Sequence, residues 1–163
     1  MKFHGKTPVR GSVKHVFLPR SSEDENGNIV HADLVFLAKT ADLSAFSTLY
    51  PEPKPPSIMM AGETNSRPDF TDPDYKKELS KYNRALHDYL YIMTYKDTEG
   101  LEFERVKLDD PTTWCLFHDE LIESGITEAE FVTLASAALE VNSLSDDAVE
   151  QARARFFRSP RRQ

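Results

Sequence analysis

The stretch over residues 72–95 constrains the fold most, because it is the longest segment of the chain with one clear periodicity. Asp72 can accept hydrogen bonds from the free N–H groups of a first helical turn. Pro73 suits the first helical position, where no N–H is needed. Apolar and aromatic residues then alternate at spacings of four and three, namely Tyr75, Leu79, Tyr82, Leu86, Tyr89 and Met93. This spacing predicts one long helix with a single apolar stripe.

The N-terminal part predicts a β-hairpin with a long connection. Over residues 12–18, side chains alternate between a face with Val13, His15 and Phe17 and a face with Lys14, Val16 and Leu18. We therefore expect a strand that ends at Pro19, a polar turn region over 21–28 and a second strand over 29–38. A two-stranded hairpin is marginal alone, so a third strand or a helix should cover its apolar face. A short helix through Ala45, Phe46 and Leu49, capped by Thr40 or Asp42, should follow.

Proline dominates the next segment. Residues 51–56 hold four prolines, which exclude a helix or a central strand and favour an extended spacer. The same segment could also be a ligand for an aromatic groove. We expect residues 51–71 to be a linker with little regular structure. The predicted organisation is an N-terminal region over 1–50, this linker, and a helical region over 72–163 that forms one compact domain with 1–50.

The C-terminal part predicts short, well-capped helices. Leu101, Phe103 and Val106 suggest a short strand that would serve as a third strand for the hairpin. Asp110-Pro111 then repeats the helix-start signal of Asp72-Pro73, and this helix carries Trp114 and stops at Gly125. Thr127 and Glu130 form a capping box, and Ser145 caps a last helix that reaches Phe156. The predicted fold class is α+β, with a small antiparallel N-terminal sheet, one long central helix and a C-terminal three-helix unit.

Charge is unevenly distributed along the 163 residues. The net charge is −7, yet residues 1–20 carry +5 and residues 150–163 carry +4, so the body between them is strongly acidic. Such basic ends could contact acidic partners or the protein's own surface, or could be solvated termini. Cys115 is the only cysteine, which excludes an internal disulfide and fits a reducing cytoplasm. No apolar run is long enough to cross a bilayer, and we expect no secretory signal.

The usual signatures of catalysis are missing from the sequence. There is no Gly-rich phosphate loop, no His-Glu-x-x-His and no Gly-x-Ser-x-Gly. His118-Asp119 could form an acid–base pair and Cys115 could be a nucleophile, but a helix surface and a small helical filler are the simpler interpretations. The acidic residues 23–25 are predicted to lie in an exposed loop rather than in a metal site. We therefore expect no enzyme, no cofactor and no metal.

Several short motifs resemble, in their order, small proteins encoded among the tail genes of long-tailed bacteriophages, which are described as tail assembly chaperones or minor tail proteins. The resemblance extends over about residues 13–157. It rests on Pro51-Glu-Pro-Lys-Pro-Pro56, Gly62, Pro68-Asp-Phe-Thr-Asp-Pro-Asp-Tyr75, Glu99-Gly-Leu-Glu-Phe103, Asp110-Pro-Thr-Thr-Trp114, Glu120-Leu-Ile-Glu-Ser-Gly-Ile126, Ala138-Leu-Glu-Val-Asn-Ser-Leu144 and Ala152-Arg-Ala-Arg-Phe156. None of these motifs is catalytic.

The resemblance implies a non-enzymatic protein that binds other virion proteins in tail assembly, in the host cytoplasm and also in the virion if it stays in the particle. It implies no membrane and no direct contact with nucleic acid. Tyrosine is favoured at interfaces, so the expected partner-binding residues are Tyr75, Tyr82, Tyr89 and Tyr91, with Phe156 and Phe157 on the last helix. The competing interpretation buries the tyrosine stripe under the protein's own helices. The alternative function is an acidic mimic that inhibits a host nucleic-acid enzyme.

Overall fold

The computed structural model describes residues 11–59 and 65–143 and confirms the mixed α+β fold. The strands are β1 (Val13–Leu18), β2 (Ser21–Glu23), β3 (Ile29–His31), β4 (Leu34–Lys39), β5 (Ser57–Ile58) and β6 (Arg67–Pro68). The helices are α1 (Phe46–Leu49), α2 (Pro73–Tyr95), a 3₁₀ helix (Pro111–Leu116), α3 (Phe117–Glu123) and α4 (Glu128–Asn142). The helix predicted from Ser145 to Phe156 lies outside the described residues.

The chain forms two compact units, and each is assembled from separated pieces of the sequence. Among the described residues, the sheet unit comprises 11–41, Thr94–Leu101 and 127–143. The helical unit comprises 42–59, 65–93 and Glu102–Ile126. These pieces do not follow the consecutive segments 1–50, 51–71 and 72–163. Within the described ranges, no helix is long and apolar enough to cross a membrane.

The core of the sheet unit lies between the hairpin and α4. Strands β1 and β4 are antiparallel, with Val16 opposite Phe36 and Leu18 opposite Leu34. Val16, Leu18, Phe36 and Ala38 are buried, whereas Val13, His15 and Phe17 are exposed, so the two predicted faces of β1 differ in burial. Helix α4 packs on both strands and buries Leu134, Ala137, Ala138 and Val141. The expectation that a helix covers one face of the hairpin is confirmed.

The hairpin continues beyond α4 as an arm formed by β2, β3 and their turn. Leu18 pairs with Leu34 and Ser21 pairs with His31, so the register is unbroken across 19–20 and 32–33. The ladder is interrupted there because Pro19 has no N–H and the Arg20 N–H donates to the Asp33 carboxylate, at 3.1 Å. The prediction of one strand over 29–38 is therefore wrong in detail, since β3 and β4 are separate. Strand β2 lies inside the predicted polar turn region over 21–28.

Two ion pairs join α4 to the face of the hairpin that it covers. Arg20 contacts Glu130 with both terminal guanidinium nitrogens, and Lys14 contacts Glu140. Lys14 lies at the start of β1 and Arg20 two residues beyond its end, while Glu140 and Glu130 lie at opposite ends of α4. The helix therefore covers the hairpin only as far as Arg20, and the arm extends past the start of α4.

The last turn of α2 and the residues after it fix the other side of the sheet unit. The Tyr95 hydroxyl donates to the Leu134 carbonyl, at 2.6 Å, and the Asn142 amide donates to the Thr94 hydroxyl, at 2.8 Å. Thr98 is buried and its hydroxyl accepts from the Leu37 N–H, at 3.0 Å. These contacts hold the turn after α2 against β4 and α4.

The capping box predicted for α4 is confirmed. The Thr127 hydroxyl accepts from the Glu130 N–H, at 3.3 Å, and the Glu130 carboxylate accepts from the Thr127 N–H, at 2.8 Å. This N–H donor is the chief reason that the pKa of Glu130 lies below its ordinary value, and the Arg20 guanidinium adds to the effect. The box therefore satisfies two backbone N–H groups at the start of the helix that covers the sheet.

Replacing Thr127 by alanine should lower the free energy of unfolding by about 1 kcal/mol, because the N–H of Glu130 then loses its acceptor. Thermal or urea unfolding followed by far-UV circular dichroism measures the change. Thr127→Ser keeps the hydroxyl and is the matched control, which should stay near the wild type. An equal loss in both variants would contradict the assigned cap.

Caps also define the helices of the helical unit. The Asp72 carboxylate accepts from the Tyr75 N–H, at 2.7 Å, as predicted. At the second predicted helix start, the Asp110 carboxylate accepts from the Thr112 N–H. The six residues that follow Asp110 form the 3₁₀ helix, and α3 begins only after them. At the end of α3, Gly125 has φ +97°, and the N–H groups of Gly125 and Ile126 donate to Ile122 and Leu121. This is a Schellman motif, which requires a left-handed residue that glycine provides without strain.

Two local predictions for the helical unit and its neighbours are wrong. The segment after α2 is a loop rather than a third strand, and its N–H groups at Glu104, Arg105 and Val106 donate to the Glu120 carboxylate. Neither Thr40 nor Asp42 caps α1, whose N-cap is Ala45 and has no side-chain bond.

The linker, in turn, contains a short ladder in which Ser57 pairs with Pro68 and Ile58 pairs with Arg67. The proline segment before it is irregular, as expected.

Candidate partner-binding surfaces

The predicted tyrosine stripe is mostly covered by the protein itself. Tyr89 is buried, and Tyr75, Tyr82 and Tyr91 are half-buried. Phe156 and Phe157, the other predicted contact residues, lie outside the described residues. Tyr89 is therefore a core residue, as the competing interpretation of the stripe has it, and a partner cannot reach it in this conformation.

An aromatic cluster explains why Tyr89 is buried. It comprises Phe46, Tyr50, Tyr82, Tyr89 and Trp114. The Tyr89 and Trp114 ring centroids are 4.5 Å apart, and Phe46 lies 5.3–5.8 Å from Tyr82, Tyr89 and Trp114. Trp114 is 1% exposed and its Nε1–H donates to the Lys107 carbonyl, at 3.0 Å. The prediction that Trp114 is a core residue is confirmed.

A shallow cavity of about 310 Å³ opens beside the aromatic cluster. It is lined by Tyr50, Lys81, Arg84, Ala85, Asp88, Pro111, Thr112, Trp114 and Cys115. Lys81 is already paired with Glu78, at 2.6 Å. Cys115 is exposed, and its Sγ lies 3.6 Å from the Thr112 carbonyl. The lining is mainly aromatic and apolar, with charges of both signs.

Burial perturbs the ionisable groups on this part of α2. Desolvation raises the pKa of Asp88, and the nearby charges of Arg84 and His87 oppose that shift. Desolvation also raises the pKa of Tyr91, with the negative charge of Asp88 adding to the effect. The pKa of Tyr89 is raised by burial and then by Asp42. A carboxyl group with a raised pKa opposes folding once it is ionised, so Asp88 should be a source of pH dependence.

Asp88 and Asp110 should give opposite pH dependences of stability. Folding raises the pKa of Asp88, so its contribution falls as pH rises from the ordinary value of 3.8 through the raised one. Hydrogen bonds from Thr112 lower the pKa of Asp110, so its contribution is present above 3.8 and is lost as pH falls through the lowered value. Relative to wild type, Asp88→Asn should therefore gain stability from acidic to neutral pH, whereas Asp110→Asn should lose it.

Urea unfolding of the three proteins over the same pH series measures this difference. The comparison with wild type removes the contributions of all other carboxyl groups, and Asp110→Asn is the control of opposite sign. A difference between Asp88→Asn and wild type that stays constant with pH would contradict the buried environment assigned to Asp88.

The sheet unit carries a different surface, which we call the outer face of the hairpin. It is formed by Val13, His15 and Phe17 of β1 and by their partners Lys39, Leu37 and Val35 of β4. Phe17 is 66% exposed, Val13 58% and Val35 42%. Phe17 and Val35 are directly opposite one another, so the exposed apolar atoms are contiguous. Because the register is unbroken, Ile29 of the arm lies on the same side and is also exposed.

The arm beside the outer face is acidic. Residues 21–33 contain Glu23, Asp24, Glu25 and Asp33 and no lysine or arginine. Asp24 organises the tip, since its carboxylate accepts from the N–H groups of Asn26 and Asn28, at 2.9 and 2.8 Å. The bond from Asn28 is the main reason that the pKa of Asp24 is lowered. The exposed apolar face thus continues into an ordered, negatively charged tip.

The sequence contained a signal for the outer face that concerned composition rather than periodicity. β1 and β4 carry apolar residues on both faces, and within 11–59 and 65–143 helix α4 covers one of these faces. Sequence reasoning placed Val13, His15 and Phe17 together but did not identify them as a candidate surface.

Comparison of the chain with protein-family models, with curated proteins and with solved structures finds no match. In the part of the chain that the structure describes, no three histidine, cysteine, aspartate or glutamate side chains are grouped to hold a metal ion. His118 and Asp119 are neighbours on α3, with 3.4 Å between Nδ1 and Oδ1.

Proposed function

We propose that this protein is a non-enzymatic bacteriophage protein that binds other virion proteins in tail assembly, as a tail assembly chaperone or a minor tail component. The observation that carries the proposal is the apolar outer face of the hairpin. Its setting is the host cytoplasm, and also the virion if the protein stays in the particle. The order of motifs from Pro51 to Phe156 supports the assignment to tail proteins.

The energetics of the outer face favour a protein partner. Full burial of a side chain such as Phe17 or Val13 contributes about 1.5–3 kcal/mol each. A contiguous apolar patch rimmed by charge is typical of a protein-binding surface, and here the rim consists of Lys39 and the acidic arm. A partner that covers the patch would also shield apolar surface of its own during assembly.

The tyrosines of α2 are secondary candidate contacts for the partner. Tyr75, Tyr82 and Tyr91 keep part of their surface accessible and stay candidate contacts, whereas Tyr89 does not. Phe156 and Phe157 stay candidates from the sequence alone.

The acidic arm is the observation that favours the second candidate function, inhibition of a host nucleic-acid enzyme by acidic mimicry. A mimic would bind through Glu23, Glu25 and their neighbours, so its affinity should fall steeply with salt, since exposed charges are screened over about 8–10 Å near physiological ionic strength. Binding through the outer face should survive salt and carry a negative heat-capacity change. The two functions therefore differ in the salt dependence of the affinity and in the heat-capacity change of binding, and calorimetry measures both.

The test is titration calorimetry with copurified tail proteins at low and high salt. Phe17→Ser should abolish binding, because it removes the most exposed apolar side chain of the outer face without touching the core. Phe70→Ser is the matched control, since Phe70 is exposed to a similar extent in the helical unit. Equal effects of both variants, or binding that vanishes in high salt, would overturn the proposal. Quantitative mass spectrometry of purified particles then separates a chaperone from a virion component.

A further inference from the structure

The hydrogen-bonding phase of the hairpin determines which backbone groups of β1 are used. The Thr40 N–H donates to the Ser12 carbonyl and the Ala32 N–H donates to the Arg20 carbonyl, both at 3.0 Å. These bonds use Ser12 and Arg20, two even-numbered residues on either side of β1. The N–H and C=O groups of the even-numbered residues between them therefore also bond to β4. In an antiparallel pair the alternate residues point their N–H and C=O groups away from the partner strand. Those residues in β1 are Val13, His15 and Phe17.

The two long edges of the hairpin differ. On β4, the outward-pointing N–H and C=O groups of Leu37 both form hydrogen bonds with the Thr98 hydroxyl. The Lys39 side chain forms an ion pair with Asp97 beside it. On β1, the backbone groups of Val13, His15 and Phe17 have no hydrogen-bond partner within 11–59 and 65–143. We call these three residues the open edge. An unpaired edge of this kind is a template for another strand.

We propose that the open edge pairs with the open edge of a second copy of this chain, antiparallel and about a two-fold axis at His15. This arrangement makes a four-stranded sheet from two hairpins. His15 pairs with itself, and Val13 pairs with Phe17 of the other copy, so each of the three pairs exchanges two N–H···O bonds. The contact is isologous, which is the arrangement that most homodimers use.

The sequence on either side of the open edge leaves one register for this pairing. A shift toward the arm places Pro19 at a bonding position, where it has no N–H to donate. A shift the other way brings in Gly11, whose φ of +80° is not extended. Centred at His15, all paired residues are extended and have an N–H. The side chains agree with this register, because Val13 and Phe17 form apolar cross-strand pairs on the outer face.

Pairing at the open edge extends the outer face rather than hiding it. Side chains of the outer face point perpendicular to the sheet, so the two apolar patches become neighbours on one side of the four strands. Helix α4 stays on the opposite side of each hairpin. The inference goes beyond the proposed function, since it concerns the state of the protein before any partner binds, and a paired face would bind a repetitive partner with higher avidity.

Cysteine cross-linking tests the two-fold axis directly. In a Cys115→Ser background, His15→Cys should form a covalent dimer under mild oxidation, because directly opposed residues of a hydrogen-bonded pair have Cα atoms about 5.5 Å apart, within the range of a disulfide. Val35→Cys is the matched control. It lies on the outer face too, but on β4, one strand further from the axis, and should stay monomeric. Equal cross-linking of both variants would overturn the proposed axis.

Sedimentation velocity tests the same contact without a covalent bond. The full chain should have the mass of two chains, and His15→Pro should have the mass of one, because it removes the central edge donor while leaving the bonds to β4. Circular dichroism of His15→Pro must match the wild type, and His15→Lys, which opposes two like charges on the axis, is the second variant if it does not. A monomeric wild type, a dimer that persists in both variants, or a monomer that dimerises on deletion of residues 1–10 would each overturn the inference. These outcomes concern mass and cross-linking, whereas the comparison of Phe17→Ser with Phe70→Ser concerns partner binding, so the two proposals can fail separately.

Discussion

Replacing Trp114 by alanine should lower the free energy of unfolding by about 3–5 kcal/mol. The side chain is 1% exposed and packs on Phe46, Tyr50 and Tyr89 at the centre of the aromatic cluster. Its removal leaves a cavity between α2 and the 3₁₀ helix and also leaves the Lys107 carbonyl without the indole donor. Both effects destabilise the same unit.

The Trp114 variant needs a probe other than tryptophan fluorescence, because Trp114 is the only tryptophan. Urea unfolding followed by far-UV circular dichroism is suitable. Cys115→Ala is the control from the neighbouring, exposed position, and should change stability by less than about 0.5 kcal/mol. A loss below about 1 kcal/mol for Trp114→Ala would mean that the indole is not a core residue and would make it a candidate interface anchor.

Leu134→Ala should have the second largest effect, a loss of about 2–5 kcal/mol. Leu134 is 1% exposed on the side of α4 that covers the sheet. The Tyr95 hydroxyl bonds to its backbone carbonyl, which the substitution leaves in place. The lost energy therefore comes from packing of the side chain rather than from this hydrogen bond.

Leu139 provides the matched control for Leu134, since it is the same residue type in the same helix and is 49% exposed. Leu139→Ala should cost less than about 1 kcal/mol, because few of its contacts are lost and alanine is the better helix former. Similar losses at the two positions would mean that α4 does not present its Leu134 side to the sheet, and the hairpin would then lack its cover.

Helix ends were predictable from the sequence because the groups that define them are close along the chain. Asp72 with Tyr75, Asp110 with Thr112, and Thr127 with Glu130 each join residues within one turn. The division of β1 into two faces was predictable for a similar reason, since the alternation of side chains along a strand is a local property.

Features set by distant residues were not predictable in the same way. The alternation of Leu101 and Phe103 suggested a strand, but the following amides bond to Glu120, which lies 14–16 residues downstream. Tyr89 has the pattern of an interface residue, and only the approach of Phe46 and Trp114 shows that it is buried. The open edge depends on the Thr98 hydroxyl bonding to Leu37 on β4, while no group within 11–59 and 65–143 does the same on β1, a difference that periodicity does not encode.

The order of segments in the two units has a consequence for synthesis on the ribosome. All pieces of the helical unit are translated once Ile126 has been added, whereas the hairpin must wait for α4, whose first residue follows β4 by nearly 90 positions. During that delay Val16, Leu18 and Phe36 have no cover, and uncovered strands are prone to aggregate. Chains released from the ribosome that end at Ile126 should therefore show amide-exchange protection in α2 but not in β1 and β4, and protection of β1 in them would contradict this order. The hairpin therefore stays without its cover until α4 has been made and has left the ribosome.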